Sequence, residues 1–131
     1  MMESLISIPV SWGELFDKIA ILEIKIQKID DSAKLHNIRH ELSILRGVQD
    51  RYSFPAAVST LFIALYSVNQ AIWDIEDDIR EQERSRDFGS RFVELARSVY
   101  RTNDERAQLK REINLALNSQ IIEEKSYTPY D

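Results

Sequence analysis

Cysteine is absent from this chain, which excludes disulfides, thiolate metal ligands and thiol nucleophiles. Glycine and proline occur three times each, too few for the many turns of an all-β fold. There are two histidines. No glycine-rich phosphate loop is present, and no nucleophile stands in a recognisable motif with a partner histidine. An enzyme is therefore the less favoured reading, and no cofactor is indicated. The start, Met1-Met2-Glu3-Ser4, lacks the basic segment and apolar run of a signal peptide. The longest apolar run, Leu61 to Tyr66, is far shorter than a bilayer needs. A cytoplasmic protein with no membrane partner is expected. The net charge of −5 argues against a nucleic-acid partner, because phosphate contacts need a positive surface.

What is present is helical patterning in a chain of 131 residues, one domain's length. Apolar residues in Leu61–Arg80 fall at Leu61, Leu65, Val68, Ile72, Ile75 and Ile79, in alternating steps of four and three. That spacing lays one seam along a helix. Three further segments repeat it. Leu15, Ile19, Leu22, Ile26 and Ile29 form the first seam, opened by Ser11-Trp12-Gly13-Glu14 as a capping box with Val10 as a staple. Asp30-Asp31-Ser32 ends that helix and can cap the next, whose seam is Leu35, Ile38, Leu42 and Leu45. Gly47 weakens its last turns. Pro55 opens the third helix, which continues to about Arg84. Asp87 is the expected cap of the fourth. Thr102, Asn103 and Arg106 interrupt the fourth seam, but a hairpin of matched length favours one helix from Ser90 to Asn118.

These elements predict an all-α fold: an antiparallel helical bundle of four helices with coiled-coil-like seams and a longer third–fourth hairpin. Residues 1–131 form one domain, with 1–10 an extended lead-in and 119–131 an extended tail. The hairpin tip, Glu76 to Arg97, is expected to protrude. Its apolar residues Ile79, Phe88, Phe92 and Leu95 then suit contact with a second copy, so a homodimer is expected, with another protein as a possible partner.

Three stretches are similar to a family of small bacterial and phage proteins known as a domain of unknown function. They are VSWGELFDKIAILEIK at 10–25, WDIEDDIREQERSRDFGSRFVELARSVYRTNDERAQLKREIN at 73–114, and EEKSY at 123–127. The resemblance covers most of the chain and implies no activity, cofactor or catalytic residue. Ala20 stands where the resemblance leads one to expect Thr, so this chain lacks that hydroxyl.

The chemistry candidates are polar. Trp73, Glu76, Asp77 and Arg80 share or flank one helical face, while Asn103, Asp104, Arg106 and Lys110 lie where the fourth seam is broken. Charges inside a bundle must be paired. Such a layer either fixes helix register or binds a ligand, with Arg106 paired to an acid of helix three or of another chain. Residues 55–131 carry eight Arg and two Lys against fourteen acids. Arg84, Arg86 and Arg91 surround the start of helix four as a candidate anion site, with Glu81, Glu83 and Asp87 able to neutralise them. A phosphorylated small molecule is the ligand class that such a site would take. Metal binding is not expected. Asp74, Asp77, Asp78 and Glu81, with Glu14, Asp17 and Glu23, do not reproduce a paired acidic motif, and His36 and His40 lack a third ligand.

Overall fold

The computed structural model describes residues 2–130. Four helices follow one another: α1 (Trp12–Lys28), α2 (Ser32–Gln49), α3 (Ala56–Arg84) and α4 (Ser90–Ala116). No strand occurs among the described residues, and the fold is an all-α bundle. Helix α4 runs unbroken through Thr102 and Asn103, and its 27 residues match the 29 of α3.

The bundle is built around α1, not around α3. Helix α1 touches each of the other three, whereas α2 lies against α1 and makes no helix-to-helix contact with α3. Short loops in an antiparallel bundle lead one to expect successive helices as neighbours, and α2 and α3 depart from that. The linker between Gln49 and Ala56 is long enough to carry the chain from one side of α1 to the other. Two apolar clusters line α1. Leu15, Ile19 and Leu22 pack with Leu42 of α2. Phe16 packs with Val58 and Leu65 of α3 and Ile113 of α4. Trp12 and Phe62 touch both clusters. Eight residues of α1 are buried against three of α3. A 17-residue helix with two apolar faces is covered on both sides, and burial of this kind is the main favourable term in folding.

The caps differ in detail from the sequence pattern. Ser11 Oγ accepts from the Glu14 N–H at 3.1 Å, and Asp31 Oδ1 accepts from the Lys34 N–H at 2.9 Å. The Glu14 carboxylate faces Lys110. Val10 stays exposed. The Trp12 ring takes the staple's place, packing edge-on against Tyr52 and Phe54 at 5.0 and 5.5 Å. Gly89, not Asp87, caps α4, because Asp87 Oδ1 accepts from the Gly89 N–H and closes the turn before the helix.

Helix α1 runs parallel to α3 and antiparallel to α4. Gly13 faces Asn114 and Asp17 faces Arg106, while Lys28 pairs with Asp74 at 3.7 Å. Beyond Asp74 the α3–α4 hairpin continues for ten more residues of α3, roughly 15 Å at helical rise. Helix α3 is long and apolar enough to cross a membrane by length and composition, with mean hydropathy 1.3 over an 18-residue window. The short-run argument from Leu61–Tyr66 missed this because polar uncharged residues extend the stretch on both sides.

Candidate functional site

The concentrated chemistry of the molecule lies where α1 crosses the α3–α4 hairpin. Asp17, 1% exposed, sits at its centre. Its Oδ1 accepts from Asn69 Nδ2 at 2.8 Å and from Arg106 Nε at 3.0 Å, and its Oδ2 accepts from Arg106 Nη2. The carboxylate is thus held by a two-pronged guanidinium and an amide, which a buried charge requires. This contact raises the Arg106 guanidinium further above its ordinary range, with burial working against it. Lys110, almost fully covered, donates to Glu14 Oε2 at 2.9 Å and lies 3.6 Å from Glu123 Oε2. Arg106 and Glu14 form the partly open rim of the cluster.

One turn further along, the first N–H groups of α1 are closed by the far end of the chain. Trp12 N donates to Ser119 Oγ at 3.3 Å and Gly13 N to Asn114 Oδ1 at 2.6 Å. The orphan donors that make a helix start attractive to anions are therefore in use. Gly13 permits the contact. A Cβ there would lie 2.4 Å from the Lys110 backbone oxygen and 2.9 Å from Asn114 Oδ1.

The C-terminal tail closes another side of α4. Glu123 approaches Lys110, and Glu124 Oε1 accepts from Arg111 at 3.0 Å. Tyr130 donates to Asp104 Oδ2 at 2.7 Å, and its ring meets Tyr100 edge-on at 5.0 Å. The phenol of Tyr130 is raised above its ordinary range, first because the hydrogen bond to Asp104 needs the proton. A raised phenol contributes below its unfolded range and stops contributing as pH climbs through the folded one. Spectrophotometric titration should show one phenol ionising late, and Tyr130→Phe should remove that step.

The sequence candidates are split rather than joined. Arg106, Asn103 and Asp104 lie along α4 facing α1 or the tail. Arg106 pairs with Asp17 of α1, neither with α3 nor with another chain. Trp73, Glu76, Asp77 and Arg80 are elsewhere: Arg80 pairs with Glu76 on its own helix at 2.9 Å, and Asp77 is exposed. The arginines at the turn are largely occupied. Arg84 grips Glu81 with two bonds at 3.1 and 2.6 Å, which lowers the Glu81 carboxyl. Arg91 lies 3.5 Å from Asp78. Arg86, in a left-handed conformation with φ of 55°, has no acid partner among the described residues. Exposed pairs contribute little, so Arg91→Ala should change stability by less than about 0.5 kcal/mol in urea denaturation. Leu95 is buried within the single chain, Ile79 and Phe92 are half-buried, and Phe88 is exposed. His36 and His40 are exposed on α2, and no group of three or more His, Cys, Asp or Glu among the described residues could hold a metal.

Sequence reasoning did not single out Asp17 as the central charge, and it missed Asn69 altogether. The signal was spacing. Gly13, Asp17, Ala20 and Ile24 repeat in steps of four, three and four, a second seam on α1 with two small residues beside the acid.

The fold and this cluster define a small helical bundle whose crossing helices are locked by buried, mutually satisfied charges. The chain belongs to a family of unknown function, DUF6165, whose sequence model matches residues 6–130. Searches of curated proteins and of solved structures returned no match.

Proposed function

We propose that the chain is an assembly module, a helical bundle that joins to a second copy of itself rather than one that performs chemistry. The observation that carries this is the pairing of the buried charges on one another, with Arg86 the one arginine of the α3–α4 turn that has no acid partner among the described residues. Asp17, Arg106, Lys110 and Glu14 satisfy each other inside, and Arg80, Arg84, Arg91 and Arg97 each stand beside an acid outside. A site that binds an anion gathers several free cations around it, whereas Arg86 stands without a second free arginine beside it, Arg84 and Arg91 being paired. Light scattering at micromolar concentration should give about twice the chain mass of 15.3 kDa. A monomer at every concentration sinks the reading.

A second reading, a small all-α enzyme or regulatory subunit acting on a phosphorylated small molecule, is favoured by one feature. A groove of about 1020 Å³ lies between α4 and the tail, lined by Asn103, Lys110, Arg111 and Tyr130 among others. Its size suits a small molecule. Its three cations, Lys110, Arg111 and Lys125, stand beside Glu123 and Glu124 of the tail, so an entering phosphate must displace those carboxylates.

A further inference from the structure

Charge is distributed very unevenly along this chain. Residues 4–13, 52–73 and 114–122 contain no Asp, Glu, Lys, Arg or His, although the chain is 30% charged. The fold brings residues 4–13, residues 114–122 and the beginning of 52–73 to one end of the bundle, the last stretch then running along α1 toward the Lys28–Asp74 pair. Trp12 packs on Tyr52 and Phe54, its backbone N–H reaches Ser119, and the Gly13 N–H reaches Asn114. Leu117 packs in the same cluster as Phe16 and Val58. The start of α1, the start of α3 and the end of α4 therefore meet where uncharged residues predominate, and the nearest charges, Glu14 and Lys110, are paired with each other.

That end is also where large apolar side chains stand open to water. Leu5, Ile6 and Ile8 are exposed, Ile63 is 69% exposed and Leu115 is 59% exposed. The hairpin tip offers only Phe88 and Val93 by comparison. Residues 3–10 are in neither helix nor strand, and their backbone makes no hydrogen bond among the described residues. An extended segment with apolar side chains and free N–H and C=O groups is a template for another strand. Lipid would leave those groups unsatisfied, and no basic residue lies in the three stretches to meet an anionic surface.

We propose that this charge-poor end is the surface on which a second copy of the chain docks, the segments Leu5–Val10 of the two copies pairing antiparallel across the two-fold. The proposal rests on the assembly reading and supplies its surface. Charge selects the partner. A chain of net charge −5 meets its own copy with least repulsion where each copy carries least charge. Extent agrees as well. A stable interface covers roughly 800 Å² per partner, under a tenth of the 9403 Å² surface here. Within the uncharged stretches, Leu5, Ile6, Ile8, Ile63 and Leu115 supply exposed apolar surface. In such a ribbon Ile6, Ile8 and Val10 share one face, which can close on Ile63 and Leu115. Pro9, which has no N–H to offer, falls near the end of the segment.

Sedimentation velocity of the full chain and four variants tests this. Ile63→Glu and Ile6→Glu should run as monomers with unchanged helical circular dichroism, while Phe88→Glu should remain a dimer. Ser7→Pro adds no charge but removes one ladder donor per copy. It should weaken the dimer about tenfold, since two lost hydrogen bonds amount to roughly 1.4 kcal/mol. A dimer that survives Ile6→Glu and Ile63→Glu but falls apart with Phe88→Glu overturns this surface and leaves self-association standing at the hairpin tip. A monomeric parent chain overturns both. Flotation of the monomeric parent chain with neutral phosphatidylcholine vesicles, lost in Ile63→Glu, overturns the proposal in favour of a lipid face.

Discussion

Replacing Gly13 by alanine should cost this protein about 3 kcal/mol, while the same replacement at Gly47 should stabilise it by about 0.5–1 kcal/mol. Both glycines lie within helices, and only their surroundings differ. At Gly47 an added Cβ meets nothing within 4 Å, so the helix gains alanine's propensity. At Gly13 the new carbon would sit 2.4 Å from a backbone oxygen of α4. A backbone atom cannot swing aside as the end of a side chain can. Helices α1 and α4 must part, and the Gly13 N–H loses Asn114 as they do. Overpacking of about 1–3 kcal/mol then adds to a buried donor left without its partner, about 1–3 more. For a chain of this size the loss corresponds to a Tm lower by roughly 10 °C. Thermal denaturation of the two variants side by side reads both signs at once. Equal and small effects would mean that α1 and α4 do not approach this closely.

Asp17→Leu should be the other large loss, about 3 kcal/mol in urea denaturation. The variant leaves Arg106 and Asn69 without the carboxylate that satisfies them. Breaking a buried pair from one side costs about 3–5 kcal/mol. The lower figure applies because the Arg106 side chain keeps 28% exposure and can turn toward water. The double variant Asp17→Leu with Arg106→Leu should recover much of that loss, because no charge is then left unpaired. The coupling, taken from the cycle of single and double variants, should be about 1–3 kcal/mol. If the two losses simply add, the pair does not hold the crossing of α1 over the hairpin.

These two residues mark where the chain was readable and where it was not. The four helices follow from their seams, and Ser11 and Asp31 cap where the pattern places them. Length alone joined α4 across its polar interruption, correctly, because a hairpin partner must match α3. The centre of the bundle was not legible. A rich seam on α3 drew attention to the longer helix, yet the shorter α1 is wrapped on two faces, with Phe16 and Ile19 serving different neighbours. Asp17 was hidden because a charged residue between apolar ones reads as a solvated face until Gly13 and Ala20 beside it are seen to admit a close partner. The tail was hidden for another reason. Glu123 and Glu124 find Lys110 and Arg111 only after the chain reverses beyond Asn118, which adopts a left-handed φ of 51°. The charge-poor end required the fold as well, since its three stretches lie far apart in sequence.

Whether this bundle assembles or binds a phosphorylated ligand is read most directly by isothermal titration calorimetry. The titrants are inorganic phosphate, nucleotides and sugar phosphates, each at millimolar concentration. With Arg84 on Glu81, Arg91 beside Asp78, Arg106 on Asp17 and Lys110 on Glu14, only Arg86 of these candidate cations lacks an acid partner among the described residues, and the expected result is no saturable heat for any of them. A saturable heat that Arg106→Leu abolishes, with the mass in solution unchanged, would contradict this and make the buried cluster a ligand site.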